Sequence, residues 1–128
     1  MATTDITKAN FKEIVSKEGI VLLDWWADWC APCRTFAPVF EQASTKNPDI
    51  VFGKLDTDKE VELAGAFAIR SIPTLMVFRD GIMLFEQAGA LPANALEDLI
   101  RQVRALDMDE VRKQLVDRQA QEGAAPQA

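Results

Sequence analysis

Val21-Leu22-Leu23-Asp24-Trp25-Trp26-Ala27-Asp28-Trp29-Cys30-Ala31-Pro32-Cys33 begins as an apolar run that encloses one acid, Asp24, and ends, past Asp28, in the only two cysteines of the chain. From Ile20 to Trp26 the residues are aliphatic, β-branched or aromatic on both alternating faces, with Asp24 the single exception. A half-exposed strand would alternate apolar with polar. This pattern therefore predicts a central strand covered by helices on both sides, and it puts the cysteines just past that strand's C-terminal end.

The flanking sequence supplies the covering helices. Upstream, Thr3–Ile6 suits an edge strand, and Thr7 is placed to cap a helix carrying Phe11, Ile14 and Val15 at i, i+3, i+4, which Gly19 ends. Downstream, Phe36, Val39, Phe40 and Ala43 recur at helical spacing from about Pro32 to Lys46, with Pro32 in the first turn and Pro38 inside the pattern. Asn47-Pro48 breaks the helix. Ile50–Asp56 reads as a strand, Lys59–Phe67 as a short helix, and Thr74–Arg79 as a third good strand. Asp80-Gly81 is a hairpin signal, so Met83–Ala88 should return antiparallel and make the sheet mixed. Pro92 opens a helix with Leu96, Leu99, Ile100 and Val103 on one face.

The globular unit is expected to span residues 1–105. Asp107 and Glu110 then resemble a capping box for a further helix, 106–120, with Met108, Val111 and Leu115 as a narrow stripe. Residues 121–128 are polar and alanine-rich and are expected to be disordered. The added helix is either a solvated appendage or a means of packing back, self-association or partner recruitment.

The 128 residues are 48% hydrophobic, enough for one core without staples. With 14 Lys+Arg against 20 Asp+Glu the net charge is -6, which disfavours nucleic acid and anionic membranes as partners. The first nine residues lack a basic segment leading into an apolar core, and no apolar run reaches about 18 residues. A cytoplasmic protein is expected, and that reducing compartment argues against the two cysteines as a permanent staple.

Cys30 and Cys33 stand one helical turn apart beside a strand-helix-strand pattern, the arrangement of a redox pair. At a helix start, free N–H groups and the macrodipole stabilise a thiolate, and Cys30 gains most. Cys33, one turn in, should be more buried and act second. The alternatives are a metal half-site or two inert thiols. A tetrahedral zinc needs four ligands, and the chain has no histidine and no other cysteine. Asp24 has two readings: a buried acid with a raised pKa that takes a proton from Cys33, or a strand-end acid open to solvent. Ile72-Pro73 is, on local grounds, a strand-start proline.

Asp24, Trp25-Trp26-Ala27, Trp29-Cys30-Ala31-Pro32-Cys33, Ala37-Pro38, Lys54-Leu55-Asp56, Ile69-Arg70-Ser71-Ile72-Pro73-Thr74, Asp80-Gly81 and Gly89-Ala90 occur in that order. Through them the chain, from about residue 5 to 105, resembles the thioredoxin family. The resemblance implies an α/β fold with a central mixed five-stranded sheet flanked by four helices, to which this chain adds a C-terminal helix. It implies Cys30 as exposed nucleophile and Cys33 as resolving thiol, linked in the oxidised form as the redox-active disulfide. Asp24 matches the family's buried acid and Lys54 its basic neighbour. Pro73 matches a cis-proline facing the cysteines, which leaves the Ile72 backbone free to pair with an extended target. Trp29, Ala31, Pro32, Ile72, Gly89 and Ala90 match the shallow apolar docking surface.

The activity implied is reduction of disulfides in target proteins by a monomer that binds no cofactor or metal. Its electrons come from NADPH through a flavin-dependent thioredoxin reductase; this chain itself has no dinucleotide fingerprint. Ala31 departs from the family's usual glycine. A binding or scaffold subunit using the same surface is the rival reading.

Overall fold

The computed structural model describes residues 2–124. Five strands, β1 (Thr3–Asp5), β2 (Ile20–Trp26), β3 (Val51–Asp56), β4 (Thr74–Arg79) and β5 (Ile82–Ala88), form one sheet in the order β1-β3-β2-β4-β5. β2 is central: it pairs parallel with β3 and antiparallel with β4, while β1 and β5 form the edges. The helices are α1 (Phe11–Val15), α2 (Ala31–Lys46), α3 (Val61–Ala66), α4 (Ala93–Ala105) and α5 (Met108–Ala124). The expected mixed five-stranded sheet, four flanking helices and extra C-terminal helix are all present.

The alternation of β2 sorts the core into two layers. Ile20 and Leu22 pack with Phe36, Phe40 and Ala43 of α2 and with Leu96, Ile100 and Val103 of α4. Val21, Leu23 and Trp25 point the other way and join Phe11 of α1 and Leu63 and Ala64 of α3. Phe40 meets Phe36 at 5.8 Å and the edge of Phe52 at 5.2 Å, while Phe67 lies against Phe11 and Trp25. Such pairs add about 0.5–1.5 kcal/mol each beyond the area they bury. Gly53 leaves room for the Ile6 and Leu23 side chains to pack over β3, because a Cβ there would stand 2.6 Å from the Ile6 side chain.

Several local details differ from expectation. Thr7 does not cap α1; its carbonyl accepts from Asn10 and Phe11 while its N–H donates to the Asn10 side chain, so the helix starts one turn later. Gly19 lies beyond α1 with φ +96° in the turn into β2, a conformation glycine adopts without a Cβ penalty. The Asp107 carboxylate does cap α5, accepting from the N–H groups of Asp109 and Glu110. Glu110, however, bonds forward to Gln114 rather than back, so only half of the capping box forms. The helix also runs through Gln121–Ala124, where disorder was expected, because Gln, Ala and Glu favour helix. Residues 125–128 of that expected tail lie outside the described residues.

The β4–β5 turn has both central residues at positive φ, Asp80 at 53° and Gly81 at 80°, as a two-residue hairpin requires. Asp80 exchanges backbone and side-chain bonds with Gly19 and takes an ion pair from Arg112 of α5 at 3.2 Å. Arg79 donates to the carbonyls of Val103 and Leu106, at 2.8 and 3.1 Å, where α4 ends. These contacts and buried Met108 attach α5 to the hairpin's turn end. Beyond them, α5 and β5 border a cavity of about 380 Å³. No helix among the described residues is long and apolar enough to cross a membrane.

Candidate active site

β2 ends at Trp26, whose carbonyl accepts from both the N–H and the hydroxyl of Thr57. The chain then turns through Ala27–Cys30, closed by a bond from the Cys30 N–H to the Ala27 carbonyl. Cys30 is the N-cap of α2: its backbone is extended and its sulfur accepts from the Cys33 N–H at 3.2 Å. Pro32 occupies a first-turn position whose N–H would be unpaired in any helix. Local sequence thus puts the Cys30 sulfur against the positive end of a 16-residue helix.

Cys30 and Cys33 form a disulfide across Cα atoms 5.2 Å apart. Both are buried, at 4% and 3% exposure. The expectation of an exposed Cys30 beside a more buried Cys33 is corrected here. With its sulfur tied into the disulfide, Cys30 packs with Ala27, Trp26 and Ile72, and lies 3.6 Å from the Ile72 carbonyl. What separates the two cysteines is position: Cys30 caps the helix and Cys33 lies inside it.

Asp24 settles between its two readings on the buried side. By the alternation of β2 it faces the same layer as Ile20 and Leu22, under α2, opposite Lys54 on β3 and Leu75 on β4. It is 0% exposed, and neither carboxylate oxygen has a hydrogen-bond partner among the described residues. Desolvation raises its pKa from 3.8 to about 7, against the opposing pull of the Lys54 charge. Lys54, the register partner of Asp24, lies over the Trp26 ring, 5.1 Å from its centroid. A cavity of about 120 Å³, bordered by Trp26, Cys33, Arg34 and Lys54, opens beside the second sulfur and has room for water. Replacing Lys54 with methionine is expected to raise the Asp24 pKa further, because the charge that lowers it is gone. A carboxyl-labelled NMR titration of Asp24 would register the shift, and a midpoint unchanged or lowered would contradict it.

The Ile72–Pro73 peptide is cis, and Pro73 is buried at the start of β4. The Pro73 carbonyl accepts from the N–H of Gly89 at 2.8 Å, and Gly89 itself has φ +102°. This bond brings the Gly89-Ala90 turn beside the proline. Around the disulfide, Ala31, Pro32, Gly89 and Ala90 are exposed, Ile72 is half-buried, and Trp29 is 68% exposed. The structure thus gathers distant parts of the chain around the sulfurs: 24–33, Lys54, and the two ends of the β4–β5 hairpin at 72–73 and 89–90.

Two residues at the site carry no sequence signal of their own. Asp58 accepts from the Trp29 indole N–H at 3.0 Å, yet it reads as one acid in a polar turn. Arg34 donates to the Asp28 carbonyl at 2.8 Å. Helical geometry sets Arg34 one turn beyond Cys30 with its side chain leaning toward the N-terminus, but nothing in the sequence marks the Asp28 carbonyl as its partner.

Comparison with known proteins agrees with this geometry. The Thioredoxin family model matches residues 2–102. A Streptomyces coelicolor protein provisionally named thioredoxin 2 is 54% identical over 122 residues, 95% of this chain and 91% of that one. The Bacillus subtilis thioredoxin is 40% identical over 101 residues, 78% of this chain and 96% of its own. A solved thioredoxin variant from Halobacterium salinarum superposes with TM-score 0.75 at 33% identity, covering 82% of this chain and 93% of that one.

Proposed function

The chain belongs to the thioredoxin family and is a thiol–disulfide oxidoreductase, and from that premise we propose a division of labour among its site residues. The observation that carries it is the Cys30–Cys33 disulfide at the N-terminus of α2, above a buried acid. In the reduced protein the Cys30 thiolate attacks a sulfur of the target disulfide; that S–S bond breaks, one target thiolate leaves, and a mixed disulfide forms. Cys33 gives its proton to the Asp24 carboxylate, and its thiolate attacks the Cys30 sulfur. The second target thiolate leaves, two electrons have passed to the target, and Cys30 and Cys33 are oxidised to the disulfide.

Lys54 tunes Asp24 so that it exchanges a proton near neutral pH. Trp29, Ala31, Pro32, Ile72, Pro73, Gly89 and Ala90 form the docking surface, where the Ile72 backbone pairs with an extended target segment. A shallow apolar surface of this kind suits many protein disulfides bound weakly. Electrons return from NADPH through a flavin-dependent thioredoxin reductase, and the protein works as a cytoplasmic monomer. The family match ending at residue 102 supports a catalytic unit closing near Ala105, with α5 as an extension.

The test is reduction of insulin disulfides with NADPH and thioredoxin reductase, comparing the unsubstituted chain with Cys30→Ser. Turnover is expected only with Cys30 present. Equal turnover by the Cys30→Ser chain would overturn the assignment.

A further inference from the structure

Trp29 is the most exposed large apolar side chain at the site, and a side chain so exposed ordinarily samples several rotamers. Here it is held from two sides. Its indole N–H donates to the Asp58 carboxylate at 3.0 Å, and Asp58 is itself fixed by a bond from its own N–H to the Asp56 carboxylate at 2.9 Å. On the other side the peptide joining Asp28 to Trp29 presents its carbonyl to the Arg34 guanidinium at 2.8 Å. Arg34 lies in the first turn of α2, where its N–H bonds to the Cys30 carbonyl at 3.2 Å. One residue thus links the helix that carries both cysteines to the turn that carries the docking tryptophan.

We propose that Arg34 is a positioning residue: by holding the Asp28 carbonyl it fixes Trp29 in the orientation in which a protein target meets the disulfide. This inference rests on the docking role given to Trp29 above. A side chain already fixed loses less entropy when a partner settles on it, so the latch acts on target binding rather than on sulfur chemistry. A small disulfide, which needs no platform, does not use it. Arg34 is exposed and, among the described residues, its side chain makes this one hydrogen bond, so substitution leaves the core intact.

The experiment uses the full chain with Arg34→Met, which keeps the length of the stem, and Arg34→Lys, which keeps a charge and one donor able to reach the carbonyl. Three measurements are made: KM and kcat for insulin, the rate with the neutral small disulfide bis(2-hydroxyethyl) disulfide, and acrylamide quenching of tryptophan fluorescence. Because Trp25 is buried and Trp26 half-buried, quenching reports chiefly on Trp29. Loss of a charge-assisted bond at the surface corresponds to a roughly three- to tenfold rise in KM for insulin in Arg34→Met. The small-disulfide rate is expected to hold, quenching to increase, and Arg34→Lys to recover most of the loss. An unchanged KM overturns the proposal, as does an equal fall in both rates, which would make Arg34 an electrostatic effect on the thiolate. A raised KM with quenching unaltered also overturns it. If the unsubstituted chain reduces neither disulfide, the docking role falls and this inference with it.

Discussion

Cys33→Ser is expected to turn the chain from a catalyst into a trap. In the proposed sequence the first attack needs only Cys30, whose sulfur caps α2 and accepts from the N–H at position 33, a backbone group the substitution retains. The mixed disulfide should therefore form. Its resolution needs a second sulfur nucleophile one helical turn away, and a serine hydroxyl, far less acidic than a thiol, supplies no comparable anion near neutral pH. Turnover should fall by about two orders of magnitude or more. Meanwhile a one-to-one complex with the target should accumulate, visible by mass spectrometry and released by dithiothreitol. Cys30→Ser should capture none. A Cys33→Ser chain that neither traps a target nor loses turnover would mean the order of the two cysteines is wrong.

Asp24→Asn is expected to have two opposite effects, slower catalysis and higher stability. Asparagine cannot accept the Cys33 proton, so resolution of the mixed disulfide should slow by roughly tenfold to hundredfold near neutral pH, while the first attack holds. In the unsubstituted chain the resolution rate should climb through about pH 7 as Asp24 ionises, and in the variant that climb should vanish. The stability effect has a definite sign. The folded-state pKa of about 7 stands above the reference 3.8, so between those values the folded chain holds a proton that the unfolded chain has released. Stability therefore falls as pH rises through that window, by about 1.4 kcal/mol per unit and roughly 4 kcal/mol in all, and levels off above it. Asp24→Asn removes this dependence. At pH 8 the variant should be more stable by roughly 2 to 4 kcal/mol, the lower figure allowing for an amide that is itself buried without partners. Urea denaturation of both chains at pH 5 and pH 8 provides the measurement; equal pH dependence in the two would contradict a buried, neutral Asp24.

Much of this fold is legible in the sequence because its central elements are strongly periodic. β2 and β4 begin and end where alternation and the Asp80-Gly81 turn place them, and α2 follows its Phe36, Phe40 and Ala43 repeat. The weaker boundaries depend on competing hydrogen bonds: Thr7 and Asn10 share the N-terminus of α1 in a way that residue preference does not decide. The cysteine pair was legible by spacing alone. The environment of Asp24 was not, because a strand's own pattern does not say how far its neighbours extend past it; only the register with Lys54 and Leu75 closes the layer over the carboxylate. Nor was the burial of Cys30, which depends on Ile72 arriving from another part of the chain. Arg34 and Asp58 are hidden for a related reason. Each acts through a single bond to the Asp28–Trp29 segment, and ordinary charged residues announce no such bond.

The attachment of α5 has a consequence for how the molecule tolerates company. Its anchors, Asp80 and Arg79, stand at one end of β4, while Thr74 and the cis-proline stand at the other. β4 is six residues long, which holds its two ends roughly 17 Å apart. A cargo joined after α5 would therefore be anchored through the end of the sheet away from the sulfurs while remaining tethered to them. Such a tether would convert encounters with a slow target into an intramolecular reaction governed by effective concentration, and linker length rather than docking affinity would then set the rate.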